Sequence, residues 1–190
     1  HFDKNCKTQM RILHFSVAIL AFIPKVGDRG QESEVEKTMT QDQRLESYIG
    51  GKYVTAENPT LFDSINPATG ATLAKVEAAG EREVQLAIDA AKKGLEIWKT
   101  TSTAERGRIL VKAANLLRER VNQLAQLEVL DTGKPITEAL EVDIFSAADC
   151  LEYFGGIVNG LHGQHFDLGT TAFGYTRREP LGICVGIGAW

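Results

Sequence analysis

The chain has 190 residues, 43% hydrophobic and 24% charged, ordinary globular proportions that argue against disorder throughout and allow one domain with a real core. A net charge of −4 and a pI near 5.6 argue against a nucleic-acid binder, whose footprint would be a basic patch. The three cysteines, Cys6, Cys150 and Cys184, are odd in number and widely spaced, which supports neither a disulfide framework nor a zinc site.

Cys150 and Cys184 sit among apolar neighbours and read as inert buried thiols. The four histidines, His1, His14, His162 and His165, make no metal-ligand spacing, and the last two read as solvated loop residues.

Residues 1–38 show no capping or turn logic. An apolar run at 12–23 behind Met10-Arg11 resembles a signal-peptide core, but 24–28 offers no small-x-small cleavage site. The run is also shorter than the roughly 20 residues a spanning helix needs, so no membrane association is expected. The expectation is that Met39 is the true start and that residues 1–38 are upstream sequence translated in frame, and disordered. Glu34-Val35-Glu36-Lys37 can be encoded by purine-rich codons just ahead of Met39, as a ribosome-binding site would be. A targeting segment and a genuine extension are the alternatives.

From Met39 the local signals tighten. Gly50-Gly51 is a turn flanked by short strands at 48–49 and 53–54. A further strand at 61–65 is stopped by Asn66-Pro67 and turned through Gly70, and another follows at 72–76. Helices come next. Val84, Ala87, Ile88, Ala91, Leu95 and Trp98 recur at helical spacing over 81–98 and predict one apolar face.

Ser102 and Glu105 form a capping-box pair that opens a helix with Ile109, Leu110, Ala113, Leu116 and Leu117 inward. Arg106, Arg108, Lys112 and Arg118 fall mostly outward. The pattern continues to Thr132, where Gly133 is placed as a left-handed stop and Pro135 bars continuation. Lys134 between them reads as a simple helix-end cation. A last long helix is predicted over about 136–158. Residues 164–168 and 172–179 then read as a hairpin joined by Gly169-Thr170-Thr171. Arg177 and Arg178 could grip an anionic substrate, but read better as strand charges protecting a sheet edge or pairing across subunits.

The final stretch, YTRREPLGICVGIGAW at 175–190, reads as a strand broken by Pro180. An apolar run at 183–185 follows, of the kind that fills a buried parallel strand, and ends in a glycine-rich turn. The G-x-G-x-x-G fingerprint is not met. As motifs, "YTRREPLG" and "GIGAW", with "IGGKYV … INPATG" upstream and "LDTGKP" between, resemble the aldehyde dehydrogenase superfamily from about Tyr48 to Trp190. Within it they look most like the betaine aldehyde dehydrogenases.

The resemblance implies an α/β fold, the N-terminal part of an aldehyde dehydrogenase. Its pieces would be a Rossmann-like NAD-binding domain with a helical layer over 39–163, an oligomerisation hairpin at 164–180, and the first Rossmann strand at 181–190. It implies that the chain stops before the catalytic domain. The superfamily's asparagine, lysine, glutamate and nucleophilic cysteine would then lie beyond Trp190, and neither Cys150 nor Cys184 matches the cysteine motif.

Carried over by motif, Gly188, Ala189 and Trp190 would form part of the cofactor wall for NAD or NADP. Main-chain carbonyls of Ser64, Ile65 and Asp131 would hold a potassium ion. An acid at a helix C-terminus is itself unfavourable without a cation, which agrees with such a site. The alternative for Asp131 is a plain helix-end residue bonded to Thr132 or Lys134. The implied activity is oxidation of betaine aldehyde to glycine betaine by a cytoplasmic homo-oligomer, dimer or tetramer. A related aminoaldehyde or other small-aldehyde dehydrogenase is a second reading, and a non-catalytic binding remnant a third.

Overall fold

The computed structural model describes residues 44–187. The expectations for residues 1–38, Cys6 included, lie outside them.

Strand β5 (Thr72–Ala78) is the centre of a three-stranded mixed sheet, with β1 (Arg44–Leu45) parallel on one side and β4 (Thr60–Ile65) antiparallel on the other. Its composition suits that place, because Leu73, Ala74 and Val76 are buried and small or β-branched side chains pack closely between neighbours. Glu77, only 1% exposed, is the exception. Its carboxylate accepts the Ala56 N–H at 2.7 Å and pairs with Arg44, so one buried acid fixes both β1 and the loop after β3. The strands β2 (Ser47–Ile49) and β3 (Lys52–Val54) form the expected hairpin. Gly50 (φ 60°) and Gly51 (φ 84°) supply the two left-handed positions that a two-residue turn of this twist requires.

Helix α1 (Glu81–Thr100) starts where the Glu83 carboxylate accepts the Gly80 N–H at 2.8 Å. Helix α2 (Thr103–Glu119) is capped by Ser102, whose Oγ accepts the Glu105 N–H at 3.2 Å. The reciprocal half of the expected box is replaced by a Glu105–Arg108 pair at 2.8 Å. Helix α3 (Val121–Thr132) ends at Gly133 in the left-handed region (φ 74°), as its sequence signal requires.

The expected helix over 136–158 is composite. A short turn α4 (Ile136–Glu138) leads through a π-helical turn (Ala139–Asp143) into α5 (Ile144–Ile157), which tightens to a 3₁₀ turn at Val158–Gly160. The wider turn accompanies a clamp: Lys134 Nζ lies 2.5 Å from Asp143 and 3.1 Å from Glu128, tying the end of α3 to the π turn.

The main helix–helix packing is α2 on α5. It depends on two glycines that let the backbones touch. A Cβ on Gly107 would stand 2.6 Å from the Gly155 carbonyl oxygen, and one on Gly155 would stand 2.9 Å from that of Gly107. This contact turns α2 so that Gly107 and Ala114 are its buried residues, while Ile109, expected inward, is exposed. Arg118 bridges outward to Asp149 and Glu152 on α5. The apolar face of α1 forms as predicted but is thinly covered: Ala91 and Leu95 are half-buried, and Val84 and Ile88 are exposed.

Strands β6 (His165–Asp167) and β7 (Phe173–Tyr175) form the hairpin beyond the helices, shorter than the sequence suggests. Gly163 passes so close to Thr176 that no Cβ fits there. Three expectations fail. Residues 181–187 are not a strand; a parallel strand bonds only through neighbours, and none is present among the described residues, so Val185 and Ile187 lie exposed. Cys150 and Cys184 are exposed rather than buried, because Cys150 lies on a part of α5 that no other described residue covers and Cys184 lies in that unpaired segment. Arg177 and Arg178 lie past the end of β7 and so are not strand charges.

The glycine crossing makes a paired prediction. Gly107→Ala forces a methyl group against a backbone oxygen and is expected to destabilise the chain by about 1–3 kcal/mol. Gly94, in the interior of α1, has open space around it, and Gly94→Ala is expected to stabilise by about 0.5–1 kcal/mol. Urea unfolding midpoints read both; equal shifts of the same sign would reject the crossing.

Candidate functional site

The end of β4 and the end of α3 meet through their turns. Asn66 opens a tight loop: its Oδ1 accepts the Ala68 N–H at 2.9 Å, its N–H donates to the Ala71 carbonyl at 2.9 Å, and its own carbonyl accepts the Gly70 N–H at 2.8 Å. Gly70 closes this loop at φ 74°. The loop presents Pro67 to Gly133, where a Cβ would come within 2.8 Å of Pro67 Cγ. Gly133 is therefore required twice, by its backbone angle and by this contact.

That docking brings Ser64 and Asp131 together, 67 positions apart in the chain, with Ser64 Oγ donating to Asp131 Oδ1 at 3.4 Å. Ser64 is buried, and the ladder between β4 and β5 slips between Ser64 and Ile65. Such an irregularity interrupts the regular pairing of main-chain groups. The Ile65 side chain is 53% exposed, so any contribution it makes to an ion site comes from its main chain.

Asp131 is an acid in an unfavourable place. Burial pushes its carboxyl up to about 6, the nearby Glu128 charge adds to that, and the Ser64 hydroxyl opposes it. It sits in the last turn of α3, where the helix dipole also disfavours negative charge. Among the described residues no cation stands within ion-pair distance of it; the nearby Lys134 ammonium is occupied by Glu128 and Asp143. Asp131 stands at the helix end but does not make the bonds of the plain helix-end alternative: Thr132 Oγ1 bonds back to the Glu128 carbonyl at 2.7 Å, and Asp131 accepts from Ser64 instead.

A half-buried carboxylate without a counter-charge, beside an interrupted strand end, is chemically suited to a cation. Among the described residues no three His, Cys, Asp or Glu side chains are placed to hold a metal ion together, so a site built from side-chain ligands alone is not what this arrangement offers. Gly188, Ala189 and Trp190 lie outside the described residues.

The Glu128–Lys134–Asp143 clamp is not legible in the sequence, where Lys134 has the place of a simple helix-end cation. Its partners lie on either side of a helix break, and only the π turn brings Asp143 back.

Because folding raises the Asp131 pKa from an ordinary 3.8 to about 6, the folded chain holds that proton more tightly than the unfolded one. Stability from this group is therefore fully present below about pH 4 and is lost as pH rises through about 6. Discounted for the partial exposure of the carboxyl, the fall is on the order of 2 kcal/mol. Asp131→Asn is expected to flatten that window and to be the more stable protein at pH 7. Denaturant unfolding at pH 4, 5, 6 and 7 checks it, and parallel profiles for the two chains would contradict it.

Comparison with known proteins agrees with this architecture. The profile of the "Aldehyde dehydrogenase family" matches residues 53–190. Betaine aldehyde dehydrogenases from two strains of Vibrio vulnificus, YJ016 and CMCP6, are each 55% identical over 143 residues, covering 75% of this chain. The chain spans only 29% of the length of those relatives. Among solved structures, the NAD+ complex of an aldehyde dehydrogenase from Bacillus cereus superposes with a TM-score of 0.73 at 33% identity, covering 82% of this chain and 32% of that one. The mixed α/β architecture matches the fold of these relatives over that shared part, and the chain belongs to the aldehyde dehydrogenase family.

Proposed function

We propose that this chain is the amino-terminal part of an NAD(P)-dependent dehydrogenase that oxidises betaine aldehyde to glycine betaine, an osmoprotectant. The observation that carries the reading is the 55% identity, over 143 residues, to relatives named for that substrate. A cytoplasmic setting goes with the same reading. Among the described residues no helix is long and apolar enough to cross a membrane. Held against Gly188, Ala189 and Trp190, a nicotinamide cofactor would supply the hydride acceptor for this oxidation.

In this reading the chain's own residues position rather than react. Gly188, Ala189 and Trp190 would line the cofactor, since small residues let a backbone approach a flat ring system. Ser64, Ile65 and Asp131 would hold a potassium ion, whose hydration shell main-chain oxygens can replace. The β6–β7 hairpin would pair with a second copy, covering the exposed Phe166, Leu168, Phe173 and Tyr175. The catalytic asparagine, lysine, glutamate and cysteine would come from the remaining length that the relatives have.

Two outcomes are expected. The 190-residue chain mixed with betaine aldehyde and NAD+ gives no increase in absorbance at the reduced-nicotinamide band, whereas a protein continuing through the family's catalytic residues gives turnover. That longer protein is expected to prefer betaine aldehyde over acetaldehyde by at least about tenfold in kcat/KM, a difference of ~1.4 kcal/mol in transition-state binding. Turnover by the 190-residue chain alone, or a preference for acetaldehyde, would overturn the reading. Separately, potassium is expected to raise the thermal midpoint at pH 7.5 relative to tetramethylammonium at equal ionic strength, and to do so less in Asp131→Asn. Equal midpoints in the two salts would remove the ion from the proposal.

A further inference from the structure

We propose that the cleft between the end of α1, the start of α2 and residues 177–180 is a binding site for a small organic anion, a phosphate group carried on a flat apolar body. The cleft is open to solvent along one side and offers about 600 Å³, a size that takes a compact organic ligand. Four cations reach it from three parts of the chain: Lys99 from α1, Arg106 from α2, and Arg177 and Arg178 from the segment after β7. Glu179 is the one acid in the lining.

The pairing of these charges is incomplete, and that points to a ligand. Arg177 is matched by Glu179 at 3.7 Å, and Lys99 by Glu96 at 2.5 Å. Arg178 has no carboxylate within 4.0 Å among the described residues. The Arg106 Nε is buried and has no hydrogen-bond partner among the described residues. Buried polar nitrogens in folded chains almost always find an acceptor, and a guanidinium finds its best one in the oxygens of a phosphate or carboxylate. Two guanidinium groups without a carboxylate partner, lining one cleft, favour phosphate, whose oxygens can serve both at once.

The apolar half of the cleft sets the rest of the ligand. Arg106 lies over the Trp98 ring, 5.9 Å from its centroid. Leu110 and Leu161 also line the space. The indole is 36% exposed, so a flat ring could lie against it while its phosphate meets Arg106 and Arg178. None of these residues belongs to the cofactor or ion positions assigned above, so the cleft stands or falls independently of the proposed dehydrogenase activity.

The test is titration calorimetry on the whole 190-residue chain with phenyl phosphate, inorganic phosphate and benzyl alcohol at low salt. The expected result is one-to-one binding of phenyl phosphate, inorganic phosphate weaker by about tenfold, and no saturable heat from benzyl alcohol. Arg178→Gln and Arg106→Gln are each expected to weaken phenyl phosphate by about tenfold, the scale of one charge-assisted hydrogen bond. Lys112→Gln, on an exposed part of α2 away from the cleft, is expected to leave it unchanged. Arg178 is exposed and outside any helix or strand, so its variant keeps the test informative if Arg106→Gln unfolds. Absence of saturable binding, or affinity unchanged in Arg178→Gln, overturns the site. Equal affinity for the two phosphates overturns the part assigned to Trp98.

Discussion

The backbone contact between Gly107 and Gly155 is the constraint on which the helical layer rests. With no Cβ on either side, α2 and α5 approach to carbonyl contact. That places Val158 and Leu161 opposite Arg106 and Leu110, which frames the basic cleft. The same crossing carries α5 back through the π turn to Asp143, where Lys134 fastens it to the end of α3. From there Gly133 seats against Pro67, and the sheet is joined to the helices. A sequence of close backbone approaches thus links each layer to the next, and the closest of them depend on glycine.

What the layers lack is cover. The buried apolar residues are mostly small, namely Ala56, Ala74, Ala114, Ala125, Ala139 and Ala148 beside Leu73, Val76 and Leu124. Ile97, Tyr153, Leu181 and Val185 are among the large apolar side chains left exposed. Small residues allow close approach but bury little area, so the hydrophobic stabilisation per residue is modest. An apolar strand sequence such as 183–185 gains nothing by extending alone, because its ladder bonds need neighbours. The composition of that run favours a sheet interior; its surroundings among the described residues do not provide one.

Legibility follows the range of the interaction. Turn chemistry is local, so Gly50-Gly51, Asn66-Pro67 and Gly133 mark their elements correctly in the sequence alone. Helix existence is equally plain from spacing. Which side of a helix is buried is not, because the partner decides it: Ile109 fits the apolar stripe of α2 yet is exposed, since Gly107 makes the contact. Cys150 and Cys184 depart from expectation for the same reason, their apolar neighbours in sequence being uncovered in space. The pairing of Ser64 with Asp131 spans 67 positions, and only family resemblance suggests it. The cleft is legible only at Arg177 and Arg178, an adjacent basic pair; Lys99 and Arg106 join it from two other elements, which no local pattern shows.

Hydrogen–deuterium exchange on the 190-residue chain, resolved by peptide, tests the central role of the glycine crossing most directly. The slowest exchange is expected in α2 and α5 around Gly107 and Gly155, and exchange at nearly the unfolded rate across 181–187. Protection at 183–185 equal to that of α2 would mean that the strand forms without neighbouring strands, and the helix crossing would no longer be the contact that organises the chain.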